Sequence, residues 1–380
     1  MPLLHLFEAP ERIVAGWGVI SRLGEEAKTV GKNLLLLCSS RTAESEWMKG
    51  IVGQLEREGL TVSVEVCDAG EPTVDAVEKL LRRAENLDAD AVIGIGGGSV
   101  LDTAKAVAGL KFPDRRPVID YFYGQPIERR GVPWIAVPTT SGTGSEATPN
   151  SVLSDGDKLK QSIRGDRSWI AARIILDPEL TVSCPPNVTA WSGMDALTQA
   201  IESYTSAKAN ALTEPYSLKA AVLIAGSLET ACREPGHRQA RTDMAYGSLL
   251  AGIALANARL GIVHGVAHSI GLHFHVPHGL VCGTLLPWAI DFNQDVAGDK
   301  YAALARAIGA GSSARDLADW VRGLNRRLNI PSSIREFGVN KEDVPRIVEE
   351  SMPSGSLKAN PKPVSREELA GFLEAQLGQM

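Results

Sequence analysis

Asp90–Lys105 reads DAVIGIGGGSVLDTAK, an apolar run that passes through Gly96-Gly97-Gly98-Ser99 into a stretch with helical spacing carrying Asp102 and Lys105. A short apolar run bounded by turn residues is the pattern of a fully buried strand. Glycines between such a strand and a helix let backbone amides approach a pyrophosphate, and the helix N-terminus adds donors and a favourable dipole. A glycine run alone also fits a plain tight turn; its place at the end of a buried strand points to the nucleotide reading. The spacing is not G-x-G-x-x-G, so the usual dinucleotide fingerprint is absent.

The same alternation continues on both sides. Further strands are expected at Asn33–Ser39 (NLLLLCS), Thr61–Cys67 (TVSVEVC), Trp134–Val137 and Arg173–Asp177, and a helix at Val74–Asn86, where apolar residues recur at three- and four-residue spacing. Strands that are apolar almost throughout, alternating with helices, predict a parallel sheet covered on both faces. A second loop, Pro138-Thr139-Thr140-Ser141-Gly142-Thr143-Gly144-Ser145-Glu146, also follows an apolar strand. It offers hydroxyls and glycines where open α/β sheets bind ligands, beyond the carboxyl ends of the strands. At the end of the Asn33–Ser39 strand, Cys38-Ser39-Ser40-Arg41 stands where an acidic residue would hold the ribose of NAD. Hydroxyls and a guanidinium suit a phosphate there, so NADP is the preferred cofactor and NAD the other choice. Ser39 and Arg41 also fit a plain solvated turn.

The chain has 380 residues, 44% hydrophobic and 22% charged, with a formal charge of −6. That length predicts two domains sharing a cleft, and the acidic balance argues against nucleic acid as partner. No apolar run approaches the roughly 20 residues that span a bilayer, so no membrane partner is expected. Met1–Ile13 contains Leu3, Leu4, Leu6 and Phe7 but no basic start, and reads as the first strand and not as an export signal. The five cysteines, Cys38, Cys67, Cys184, Cys232 and Cys282, are scattered without C-x-x-C spacing. They read as incidental thiols of a reducing compartment, and the expected location is cytoplasmic.

After Cys184-Pro185-Pro186 the character changes: Ala- and Leu-rich helical stretches dominate, among them Ser217–Ser227 and Ala240–Arg259. The boundary is set near residue 185, giving an α/β domain over 1–184 and a helical domain over 185–380. A loop covers Met352–Val364, and Ser365 with Glu368 forms a capping box that opens a last helix. Five of seven histidines fall close together: His264, His268, His273, His275 and His278. His264 and His268 share one helical face, and the turn Pro277-His278-Gly279 can bring His278 back towards it. Upstream, Asp195 and Gln199 share a face of an otherwise apolar helix, where an unpaired carboxylate would be costly to bury. Asp195 with His264 and His278 makes an O/N/N donor set for a first-row divalent ion, with room for a substrate oxygen.

In their combination and order these motifs resemble the iron-containing, or group III, alcohol dehydrogenases. The resemblance runs from Phe7-Glu8-Ala9-Pro10 to Asn360-Pro361-Lys362-Pro363, through Gly96–Ser99 with Asp102, Pro138–Glu146, Asp177-Pro178-Glu179-Leu180, Gly193–Thr198 and the histidine segment 264–279. It implies a Rossmann-like N-terminal domain with a parallel sheet, an all-helical C-terminal domain of the dehydroquinate synthase-like type, and a divalent ion, Fe2+ or Zn2+, in the cleft. It further implies NAD(P)-dependent hydride transfer between nicotinamide and a small alcohol or aldehyde whose oxygen the ion polarises, in a homodimer or larger homo-oligomer. Within the family the ligands are an Asp, a His four residues on, and two histidines fourteen apart, which here correspond to Asp195, Gln199, His264 and His278. His268 matches a histidine near the nicotinamide and is a candidate proton relay, beside Asp195 as the other catalytic residue. Ser99, Asp102, Thr139, Thr140, Thr143, Lys160 and Leu180 match positions lining the family's cofactor site. Gln199 departs from the pattern: an amide oxygen is a weaker ligand than imidazole. It can ligate weakly, give way to water, or leave the site without a tightly held ion; His275 is a further substitute. Two other readings follow from that departure, a metal-independent reductase resembling the maleylacetate reductases and a dinucleotide-binding protein without catalysis.

Overall fold

The computed structural model describes residues 6–378, which divide into two compact units. One comprises Glu8–Thr140 with Gly144–Ser183; the other is built from the chain from Cys184 onward together with Leu6, Phe7 and Ser141–Thr143.

The first unit runs β1 (Arg12–Ala15), α1 (Leu23–Ala27), β2 (Asn33–Cys38), α2 (Ser40–Ala43), α3 (Glu46–Arg57), β3 (Thr61–Val66), α4 (Val74–Asn86), β4 (Ala91–Gly96), α5 (Gly98–Leu110), α6 (Val118–Phe122), β5 (Trp134–Pro138), β6 (Asn150–Asp155), β7 (Leu159–Arg164) and β8 (Arg173–Leu176). Six strands form one parallel sheet in the order β1-β8-β5-β4-β2-β3. The apolar runs expected to be central are central: β4 and β5 are buried throughout, and β2 from Leu34 onward. β3 lies at the edge and leaves Val64 and Val66 exposed. Cys38 pairs with Ile95, Ile95 with Val137, and Gly96 with Pro138. Because the strands are parallel, this register brings the loops after β2, β4 and β5 out on one edge of the sheet.

The expected first strand is displaced. β1 begins at Arg12, pairing with Arg173 of β8, while Pro10 has no N–H to donate to a ladder and Leu6 is exposed; Leu3 and Leu4 lie outside the described residues. A feature not expected is the antiparallel hairpin β6–β7, which turns through Gly156 at φ 54°. Its Asp155-Gly156 step is a turn signal of the kind that closes hairpins. Lys105 of α5 secures this region. Fully buried, its Nζ donates to Ser145 Oγ at 2.9 Å, Thr148 Oγ1 at 3.0 Å and the Asn150 carbonyl at 2.5 Å.

The second unit contains α7 (Pro186–Thr205), α8 (Glu214–Arg233), α9 (Arg238–Ala258), α10 (Ile262–Phe274), α11 (His278–Ile308), α12 (Ala314–Arg327), α13 (Val344–Ser351) and α14 (Arg366–Leu377), with no strand among its described residues. One core joins α7, α8, α9, α11 and α12 through residues such as Leu197, Leu228, Met244, Leu286 and Leu324. A second joins α10 and α11 to α13 and α14 through Val266, Leu285, Ile347 and Leu373. Ser365 and Glu368 form the expected capping box. No single helix among the described residues is long and apolar enough to cross a membrane.

Beside Lys105 lies a second buried ionisable group, Glu146. Burial pushes the Glu146 carboxyl up to about 7 and the Lys105 ammonium down to about 8. A carboxyl whose folded pKa is raised contributes stability below its unfolded value, and that contribution disappears as pH rises through the folded one. The stability of the chain relative to Glu146→Gln is therefore expected to be greatest near about pH 4 and to fall by up to about 3 kcal/mol towards about pH 8. Urea unfolding at the two pH values measures this; an unchanged difference would contradict it.

Candidate functional site

In the helical unit three helices converge. α7 starts on Pro186, whose missing N–H costs nothing at a helix start, and carries Asp195, Gln199 and Glu202, all buried. α10 carries His264 and His268, and α11 opens at His278 directly after Pro277. Gly279 permits the approach of α11 to α7: a Cβ there would stand 2.1 Å from the Trp191 carbonyl oxygen and 3.2 Å from Asp195 Cβ. Any side chain at 279 would push His278 away from Asp195.

His264 Nε2 lies 3.1 Å and His278 Nε2 3.9 Å from Asp195 Oδ1. The other face of His264 is held by Glu202, whose Oε2 is 2.7 Å from Nδ1 and whose Oε1 accepts the Val263 N–H at 2.7 Å. With Nδ1–H directed at Glu202, the Nε2 lone pair faces Asp195 and its neighbours, the carboxylate–histidine arrangement that orients a metal-binding imidazole. The Cys282 sulfur sits 3.6 Å from His278 Nε2 and 3.8 Å from His264 Nε2. One donor atom from each of Asp195, His264, His278 and Cys282 lies within 4.8 Å of all the others. Gln199 is anchored through Nε2 to the Thr143 carbonyl at 3.2 Å, and its buried Oε1 has no hydrogen-bond partner among the described residues.

The electrostatics suit a cation. Burial alone would raise the Asp195 carboxyl, but the hydrogen bond with His264 and the charge of His278 hold it below its ordinary value. Burial alone would lower His264, yet its interactions with Cys282, Asp195 and Glu202 lift it well above. A proton on His264 and a divalent ion are thus competing ways to neutralise the same pair of buried carboxylates. The donor set, with an orphaned amide oxygen beside it in sequence, fits a first-row divalent ion.

Asp195, His264 and His278 come together as their spacing suggested. His268 stacks on His278, with ring centroids 5.0 Å apart and planes inclined at 18°. The remaining histidines go elsewhere. His273 pairs with Glu350 at 2.8 Å. The idea of His275 as a substitute ligand is corrected: it ends α10 in the left-handed conformation, φ 53°, with an exposed side chain, because the chain must reverse there to start α11. Two residues went unrecognised in the sequence. Cys282, read as an incidental thiol, stands one turn after His278, and Glu202 stands two turns after Asp195. Helical spacing from the known candidates is the signal that would have found both.

In the α/β unit, Ser39 caps α2, accepting the Thr42 N–H at 3.2 Å, and the exposed Arg41 donates to the Ser183 carbonyl at 2.8 Å. Gly96 ends β4, Gly97 caps α5, and Gly98 and Ser99 form its first turn. The Thr139 N–H donates to the Gly96 carbonyl at 2.9 Å, and a Cβ on Gly97 would stand 3.2 Å from Thr140 Oγ1. These loops are packed together at the carboxyl edge of the sheet. Asp102 turns inward: Oδ1 takes the Ser145 hydroxyl at 2.5 Å and Oδ2 the Val152 N–H at 3.0 Å. Lys160 of β7 pairs with Glu71 at 2.8 Å, and Leu180, half-buried, packs against the sheet core just after β8. Thr143 belongs to the helical unit.

Comparison with known proteins agrees with both halves. Residues 10–178 match the family described as iron-containing alcohol dehydrogenase, and residues 189–377 match the C-terminal region of the Fe-containing alcohol dehydrogenase family. Lactaldehyde reductase of Escherichia coli (strain K12) is 33% identical over 366 residues, 93% of this chain and 94% of that protein. A crystal structure of 1,3-propanediol oxidoreductase superposes with a TM-score of 0.92 at 30% identity, covering 98% of this chain and all of the other. The structure of sulfoacetaldehyde reductase from Bifidobacterium kashiwanohense in complex with NAD+ gives 0.90 at 27% identity, with both chains covered completely.

Glu202 touches His264 and not the donor cluster's interior, so its removal should act through the imidazole. Glu202→Gln keeps the shape and is expected to weaken divalent-metal affinity about 10–100-fold. Chelator competition followed by elemental analysis measures it; an unaltered affinity would show that Glu202 does not orient His264.

Proposed function

This chain belongs to the iron-containing alcohol dehydrogenase family, and we propose that it interconverts a small alcohol and its aldehyde with a nicotinamide cofactor and a divalent ion held by Asp195, His264 and His278. Oxidoreduction at a CH–OH carbon is common to the named relatives. The observation that carries the finer reading is the convergence of those three donors, with Glu202 fixing the tautomer of His264.

When bound, the nicotinamide supplies or accepts the hydride and the ion supplies Lewis-acid polarisation of the substrate oxygen. The chain's own residues do the rest. Asp195, buried and kept ionised by His264 and His278, offsets the positive charge brought into the site. Glu202 keeps the proton of His264 on Nδ1, which leaves Nε2 as the donor. His268 lies parallel to His278, buries Nδ1, and moves the substrate hydroxyl's proton at Nε2, as a positioned imidazole can. The glycines at 96–98 and the N-terminus of α5 accept the pyrophosphate, while Ser99, Thr139 and Thr140 offer hydroxyls to the dinucleotide. In this reading NADP is preferred over NAD because Arg41 presents an exposed guanidinium at the end of β2.

His264→Ala is expected to lower kcat/KM at least about 100-fold while leaving dinucleotide binding intact. Steady-state kinetics against a panel of aldehydes, with NADPH fluorescence titration, checks both; undiminished turnover would refute the site. Arg41→Ala should reduce the preference for NADPH over NADH about tenfold, one charged hydrogen bond's worth. An unchanged ratio of kcat/KM for the two cofactors would remove Arg41 from the argument.

A further inference from the structure

Cys282 follows His278 by one turn of α11 and presents its sulfur to the same point. It is fully buried at the edge of the apolar core that joins α10 and α11, with its sulfur turned to the two imidazoles and the Asp195 carboxylate. Four ligands at tetrahedral zinc-like distances of roughly 2.0–2.3 Å stand about 3.3–3.8 Å from one another. Four donor pairs here already lie near that spacing: His264 Nε2 to Asp195 Oδ1 at 3.1 Å, His278 Nε2 to Asp195 Oδ1 at 3.9 Å, and Cys282 Sγ to the two imidazoles at 3.8 and 3.6 Å.

We propose that Cys282 is a further ligand of the cation, so that this chain holds its metal with an Asp195, His264, His278 and Cys282 set in place of reliance on the amide at Gln199. The inference rests on the reading that the first three residues bind a divalent ion, and adds the sulfur to them. Affinity supports it, because thiolate is a stronger ligand than a carboxamide oxygen for the softer first-row ions. On coordination the sulfur–metal bond forms with the thiol's electron pair, the S–H bond breaks, and the proton passes to solvent. Gln199, tied to Thr143 by its nitrogen, is the rival fourth ligand.

The test uses the full-length enzyme stripped by chelator and reloaded with cobalt(II). Sulfur coordination gives an intense near-ultraviolet charge-transfer band, separate from the visible ligand-field bands that report bound cobalt by any donors. The wild type is expected to show both. Cys282→Ser should lose the charge-transfer band, keep the visible bands and bind cobalt at least tenfold more weakly, while Gln199→Ala keeps the charge-transfer band. Cys282→Ala with circular dichroism serves as the folded control if the serine variant is unstable. Visible bands without charge transfer in the wild type, or a charge-transfer band surviving in Cys282→Ser, would overturn the role of Cys282 while leaving the three-residue site standing. Absence of any bound cobalt in the wild type would overturn both.

Discussion

Two carboxylates buried on one face of a single helix impose the main constraint on the helical unit. Asp195 and Glu202 lie two turns apart on α7 and are withdrawn from water. Charge in that position is tolerated only with close donors, because the desolvation cost of an unpaired buried carboxylate is several kcal/mol or more. His264 meets the demand of both with its two ring nitrogens, and the Val263 amide adds a further bond to Glu202. The start of α10 is thereby tied to α7 by polar contacts as well as by packing. The same arrangement fixes which imidazole nitrogen is left to face the neighbouring donors, so a folding requirement and a chemical one are met by one set of contacts.

Small residues make that convergence possible. Gly279 lets α11 touch the α7 backbone, and Gly193 lies where a Cβ would meet Leu228 at 2.2 Å. His278 and Cys282 reach Asp195 because nothing larger stands between the helix axes. In the α/β unit a comparable economy appears at Gly96 and Gly97, where Val100 and Thr140 occupy the space a side chain would need. There the consequence is a set of backbone amides and hydroxyls gathered at the carboxyl edge of a parallel sheet, where open α/β folds bind their ligands.

Much of this was legible in the amino-acid order. The apolar runs at 34–38, 91–96 and 134–138 are so continuous that burial on both faces was the only consistent reading, and the structure agrees to within about a residue at each end. The hairpin β6–β7 was not seen, because NSVLSD and LKQSIR are short and half polar, and the anchor at the start of β6, Lys105 on the Asn150 carbonyl, comes from a distant helix. Asp195, His264 and His278 were legible from helical spacing and a turn. Cys282 was passed over because it lacks a C-x-x-C partner; its one local signal is the four-residue spacing from His278, and its other neighbours, Asp195 and His264, come from α7 and α10.

Periodicity, glycine turns and the density of histidines settle the class of each half, because strand and helix patterns and backbone freedom are properties of neighbouring residues along the chain. Side-chain roles of Glu202, Gln199, His275 and Cys282 could be assigned only once the helices had packed. A ligand set is a matter of distances of a few ångströms between atoms on separate elements, and those distances depend on how closely α7, α10 and α11 approach one another, which Gly279 and the buried carboxylates control together.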